Sequence, residues 1–121
     1  MSAVENLSGL FSLTAGAALS EYRGCKLSTI SAVYWTAGDT SPNLIGRTND
    51  TYSSGAQAGL TALIRGSKMR FVASAAVSAG GAVYPAANGK VSSTAASGTQ
   101  IGVALEAASG DGAEFTVLIT L

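Results

Sequence analysis

Residues 80–121 read GGAVYPAANGKVSSTAASGTQIGVALEAASGDGAEFTVLITL, with short apolar runs interrupted by turn residues at close intervals. Asn88-Gly89 is a strong hairpin signal: both central positions of the tight hairpin turn need φ above zero, which Gly accepts freely and Asn at little cost. Ser109-Gly110-Asp111-Gly112 is a second turn. Ile101 to Ala107 and Glu114 to Leu121 read as strands. The last one places Phe115, Val117 and Ile119 on one face and Glu114, Thr116, Leu118 and Thr120 on the other, with Leu118 the one break in the alternation.

An earlier stretch carries a related pattern. Ala32-Val33-Tyr34-Trp35, then Leu44-Ile45-Gly46, then Gly59 to Arg65 mirrors Ala82-Val83-Tyr84-Pro85, then Gln100-Ile101-Gly102, then Gly112 to Ile119. Val33 lies 12 residues before Ile45 and Val83 lies 18 before Ile101, so the later copy has the longer loop. Two similar β-units in one domain are expected, too few for a solenoid. Upstream, Phe11 to Thr14, Tyr22 to Ile30 with a bend at Gly24, Ser31 to Thr36 and Leu44 to Thr48 read as strands, with polar loops at 38–43 and 49–58. Gly59 to Arg65 and Lys68 to Ser74 read as a hairpin about Gly66-Ser67. A helix there is the alternative, since Leu60, Leu63 and Ile64 also have helical spacing, but the flanking glycines leave it only six residues. The fold class expected is all-β: a small β-barrel or β-sandwich of eight to ten short antiparallel strands, built from two similar halves, with an extended N-terminal arm.

Composition narrows the function. Of 57 hydrophobic residues in 121, 22 are Ala and 24 are Val, Leu or Ile, a thin core for the length that burial between subunits would supplement. Seven basic and seven acidic residues cancel, and no basic stripe suits a nucleic acid or a polybasic membrane anchor. Arg65, Lys68 and Arg70 read as a solvated rim. With no His, the usual general base and the usual nitrogen metal ligand are both missing. The single Cys25 cannot pair within the chain and reads as a small buried residue. Asp111 and Glu114 flank a turn and read as solvated, and Asn88-Gly89-Lys90-Val91 lacks the spacing of a phosphate loop. The expectation is no enzyme and no cofactor.

The N-terminal segment, Glu5 included, lacks the basic start of a secretory signal, which points to a protein made and kept in a cytoplasm. Residues 1–10 are expected to form an arm and residues 11–121 a single β-domain. The arm would bury Leu7, Leu10 and Phe11 against a neighbour. Tyr34 and Trp35 alternate along one strand, so one of the two is expected to be at least partly exposed.

The run Ala76 to Tyr84, then Asn88-Gly89-Lys90-Val91, then Ile101 to Ala108 and Gly112, with Leu13-Thr14-Ala15-Gly16 and Gly59 to Gly66 upstream, resembles the small capsid decoration, or cement, proteins of tailed bacteriophages. The likeness spans about Phe11 to Leu121. It implies a structural virion protein on the capsid exterior, a homotrimer bound to the major capsid protein and stabilising the assembled shell. Val4, Leu7, Leu10, Phe11 and Trp35 are the expected capsid or subunit contacts. The alternative is a virion or tail carbohydrate-binding β-module, with Trp35, Tyr34 or Tyr84 stacking on sugar.

Overall fold

Ten short strands follow from the alternation and turn signals of the sequence; the computed structural model describes residues 9–121. In chain order they are β1 (Leu10–Ala15), β2 (Gly24–Ser28), β3 (Ser31–Tyr34), β4 (Leu44–Thr48), β5 (Gln57–Ala62), β6 (Lys68–Val72), β7 (Ala82–Pro85), β8 (Val91–Ser92), β9 (Gly102–Ala104) and β10 (Glu114–Ile119). A 3-10 turn, Ala87–Gly89, joins β7 to β8. Strands β1 to β5 close into a barrel in the order β1-β3-β2-β4-β5, and β6 to β10 form a second sheet in the order β6-β10-β9-β7-β8.

Both halves are wired alike. The antiparallel pairs β1·β5, β4·β5, β2·β4 and β2·β3 recur as β6·β10, β9·β10, β7·β9 and β7·β8. The parallel pair β1·β3 recurs as a single parallel bridge, Ala73 to Val91. Loop bonds repeat as well: Leu19 and Tyr52 exchange backbone bonds of 2.9 and 2.7 Å, and Val77 and Ala108 exchange bonds of 3.0 and 2.9 Å. The expected two-fold pattern is present, with one shift in its alignment. Gly46 and Gly102 correspond, but they pair with Cys25 and Val83, so Val83 matches Cys25 of β2 and not Val33 of β3. The tetrapeptide likeness between Ala32–Trp35 and Ala82–Pro85 misled the alignment because β2, the true match, shares no side-chain sequence with β7.

The Ile-Gly element has a steric cause in both copies. A Cβ on Gly46 would come within 2.6 Å of the Thr61 carbonyl oxygen, and one on Gly102 within 2.1 Å of that of Leu118. Real Cβ atoms do not approach that closely, so the neighbouring strand can lie where it does only beside a glycine.

Asn88 and Gly89 take φ values of 59° and 71°, the left-handed conformation that the hairpin signal demanded. The proposed hairpin about Gly66-Ser67 does not form. β5 already has β1 and β4 on its two edges, and β6 pairs with β10 in the other sheet. Gly66, at φ 89°, donates its N–H to the Ile119 carbonyl at 2.8 Å and carries the chain across. The helix alternative is likewise absent: Gln57–Ala62 is strand. Leu10, placed in the arm by the sequence, is the first residue of β1 and pairs with Thr61.

Two apolar clusters fill the interior. Ala15, Leu19, Cys25, Ala32, Ala58 and Leu60 fill the barrel. The larger cluster is centred on the second sheet with Phe71, Val83, Val91, Ile101, Phe115, Val117 and Ile119, and it takes Trp35 and Leu44 from the first half. Trp35 stacks on Phe71 with ring centroids 5.7 Å apart, and its Nε1–H donates to the Lys90 carbonyl at 2.8 Å. This one side chain therefore ties the halves by both apolar burial and a hydrogen bond.

Candidate functional site

The register places five strand ends together at one mouth of the barrel: the starts of β1, β3 and β4 and the ends of β2 and β5. Four large apolar side chains stand exposed there. Ile30 is 77% exposed, Leu10 56%, Ile64 47% and Leu27 46%. Residues 9–10, 27–31, 43–44 and 62–64, which form this mouth, carry no charged side chain. Scattered exposed apolar residues are ordinary, but several gathered on an uncharged surface are the mark of a contact site. Leu105, 45% exposed, follows β9 in the other half.

Backbone bonds hold this mouth in shape. The Ala62 N–H donates to the Gly9 carbonyl at 2.7 Å and the Leu27 N–H to the Asn43 carbonyl at 3.2 Å. Thr29 at the β2–β3 tip takes a φ of 56°, which turns the chain and leaves Ile30 pointing to solvent.

The opposite mouth is polar and bonded largely within itself, with the buried Nε–H groups of Arg23 and Arg47 left without a partner. The buried Thr48 Oγ1 donates to the Ser20 carbonyl at 2.7 Å and accepts from the Arg23 N–H at 3.0 Å. Arg47 lies 5.0 Å over the Tyr22 ring and donates to the Asn49 Oδ1 at 2.9 Å and to the Arg70 carbonyl at 3.2 Å. Burial lowers its pKa from the ordinary arginine value, with Tyr22 and Glu21 opposing the shift. The rim cations are tied in the same way. Arg70 is 3.4 Å from Glu106 and 3.9 Å from Glu114, Lys90 is 2.7 Å from Asp111, and Arg65 donates to the Thr120 carbonyl. Asp111 is held below the usual carboxylate range by its hydrogen bond to Lys90. The carboxylates facing Arg70 and Lys90 leave little field there for an anionic partner.

Among the described residues no three His, Cys, Asp or Glu side chains gather as a metal site would require. Cys25 is buried, and burial alone pushes its thiol up to about 12. No helix among these residues is long and apolar enough to cross a membrane.

The residues expected at the contact fall in different places. Val4 and Leu7 lie outside the described residues. Leu10 is on the apolar mouth. Phe11, next in the strand, turns inward and packs on the barrel cluster, half-buried. Trp35 is fully buried, so the expectation that it meets the capsid, a sister subunit or a sugar is corrected: its ring is part of the core. Tyr34 is the partly exposed member of the pair, as alternation requires. Its hydroxyl accepts from the Ser20 N–H at 2.5 Å and Arg23 lies 5.6 Å over its ring, so it does not offer a bare stacking face either. Leu27 and Ile30 were missed, because residues 22–36 read as nearly continuous strand with no Gly or Pro at the Thr29 turn, and Ile64 because residues 59–65 read as one arm of a hairpin.

Residues 13–121 match the family model described as phage cement protein. Among solved structures the chain is similar to one titled the crystal structure of head fiber gp8.5 N base in bacteriophage phi29, at a TM-score of 0.71 and 15% identity over 92% of each chain. That likeness shows the fold. Among curated proteins none matches the sequence.

Proposed function

The chain belongs to the phage cement protein family, and from that premise we propose that it binds the outer surface of an assembled phage capsid as a homo-oligomer, a trimer, and stabilises the shell. The observation that carries this reading is the charge-free apolar mouth of the barrel. The domain has one end covered by polar groups bonded largely to one another and one end with four exposed aliphatic side chains. An end of that kind gains by being covered, at about 25 cal/mol per Å² of apolar surface removed from water.

On this reading Leu10 and Ile64 face the major capsid protein. Val4 and Leu7 join the contact. A shell carrying many copies needs little affinity from each one, since an oligomer engaging equivalent sites gains by effective concentration. Binding the assembled shell and not its dissociated subunits shifts the shell toward intactness by mass action. Nothing in this role requires a reaction.

The test is to mix the purified protein with undecorated capsids and to measure co-sedimentation and heat resistance of the particles. Retention with a raised disruption temperature supports the reading. Failure to co-sediment at every salt concentration overturns it.

A further inference from the structure

The two halves share one wiring, yet one of their contacts is made only once. The tip between β7 and β8 is seated on the first half. The Gly89 N–H donates to the Trp35 carbonyl at 3.0 Å, and Arg23 Nη1 donates to the Asn88 carbonyl at 2.9 Å. A Cβ on Gly89 would fall 2.6 Å from the Gly24 carbonyl oxygen and 2.8 Å from the Tyr34 ring, so the seating is tight.

The tip between β2 and β3 holds the same place in the barrel. Ala32 and Val91 accept matching backbone bonds, from Gly16 and Ser74 at 2.9 Å each, which aligns Thr29 with Asn88 and Ile30 with Gly89. Thr29 and Asn88 share a left-handed φ, 56° and 59°. The first tip is nevertheless in solvent, since Ile30 is 77% exposed. By the same alignment the seat residues Arg23, Gly24, Tyr34 and Trp35 correspond to Gly81, Ala82, Ser93 and Thr94. This second seat is open, with Ser93 and Thr94 exposed and Gly81 and Ala82 half-exposed.

Side-chain volume has moved between the two pairs. The occupied seat is bulky and takes a glycine tip, whereas the open seat is small and the exposed tip carries isoleucine. A large residue on the tip fits a seat from which the large residues have been removed. We propose that the β2–β3 tip of one copy, Ile30 foremost, seats on Gly81, Ala82, Ser93 and Thr94 of a second copy of this chain, head to tail, and that the copies close into a ring. A contact between two different surfaces propagates until it closes, unlike a two-fold contact, which stops at a dimer. This rests on the homo-oligomeric reading above and assigns its two surfaces.

Light scattering of the purified protein, with and without capsids, is the first measurement. The expected result is a closed multiple of the 12.0 kDa chain that Ile30→Asp and Ser93→Arg each reduce to monomer. Mixing those two variants restores one good tip facing one good seat and gives a heterodimer and nothing larger. Ser93→Arg that still dimerises, or a mixture that stays monomeric while both variants keep the native fluorescence of Trp35, overturns the proposal. Should Ile30→Asp fail to fold, oxidised Ile30→Cys/Ser93→Cys replaces it. A covalent ring forms, and neither single variant cross-links. No link between positions 30 and 93 in solution or on decorated capsids overturns the interface while leaving capsid binding standing. Failure of the wild type to co-sediment would remove capsid decoration and leave the ring test unaffected.

Discussion

Replacing Trp35 tests the claim that one side chain joins the two halves. Its ring is fully buried among residues of the second sheet, and its Nε1–H satisfies the Lys90 carbonyl. Truncating a buried aromatic of this size costs about 3–5 kcal/mol. The upper end applies at Trp35, because Trp35→Ala both opens a cavity against Phe71 and strips the Lys90 carbonyl of its donor. Trp35→Phe keeps an aromatic face for Phe71 but loses the hydrogen bond, so it should cost less, about 1–3 kcal/mol. Against a total stability of about 5–15 kcal/mol for an ordinary domain, the alanine variant loses a large share. Urea unfolding followed by far-ultraviolet circular dichroism measures both, with unchanged slope showing that the loss is in stability and not in the extent of unfolding. Trp35 is also the single tryptophan, so the native protein should emit as a buried indole and shift red on unfolding. An alanine variant within about 1 kcal/mol of wild type would refute the reasoning, as each term invoked above is at least that large. Native emission like that of a tryptophan in water would do so independently.

Other consequences can be checked on the same footing. Cys25 should resist thiol reagents in the native protein and react on unfolding, since burial raises its pKa from 9.0 to about 12. Below pH 9 the stability it confers is fully present; above it the unfolded chain releases a proton that the folded chain keeps, so stability falls toward pH 12 by at most about 1.4 kcal/mol per pH unit. The difference in slope between wild type and Cys25→Ala isolates this effect, and equal slopes would contradict it. Gly102→Ala should destabilise by about 1–3 kcal/mol by forcing the Leu118 carbonyl away. Gly110→Ala, where a Cβ meets nothing within 4 Å, should be neutral or slightly stabilising; equal melting temperatures for the two variants would count against the steric account. Leu10→Asp with Ile64→Asp should lower capsid retention at least tenfold, because burying one leucine is worth about 1.5–3 kcal/mol. Unchanged co-sedimentation would move the capsid contact elsewhere.

Local physics made much of this molecule legible. The backbone demand at Asn88-Gly89 and the alternation from Glu114 to Ile119 depend on near neighbours, and both appear in the structure where the sequence placed them. The apolar mouth was half legible: Leu10 was found, whereas Ile30 was hidden inside an apparent strand and Phe11 turned inward. Trp35 was misplaced for a related reason. Alternation says that Tyr34 and Trp35 face opposite ways, but not which way is out.

From the sequence alone came an all-β chain of short strands in two similar halves, without a histidine, and a resemblance that the family match bears out. Tertiary structure alone decided that β5 closes onto β1 and not onto β6, that Trp35 belongs to the core of the other half, and that four aliphatic side chains from separate strand ends meet at one mouth. Turns and alternation are set within a few residues, whereas strand partnership is set by which edges remain free once the barrel has closed.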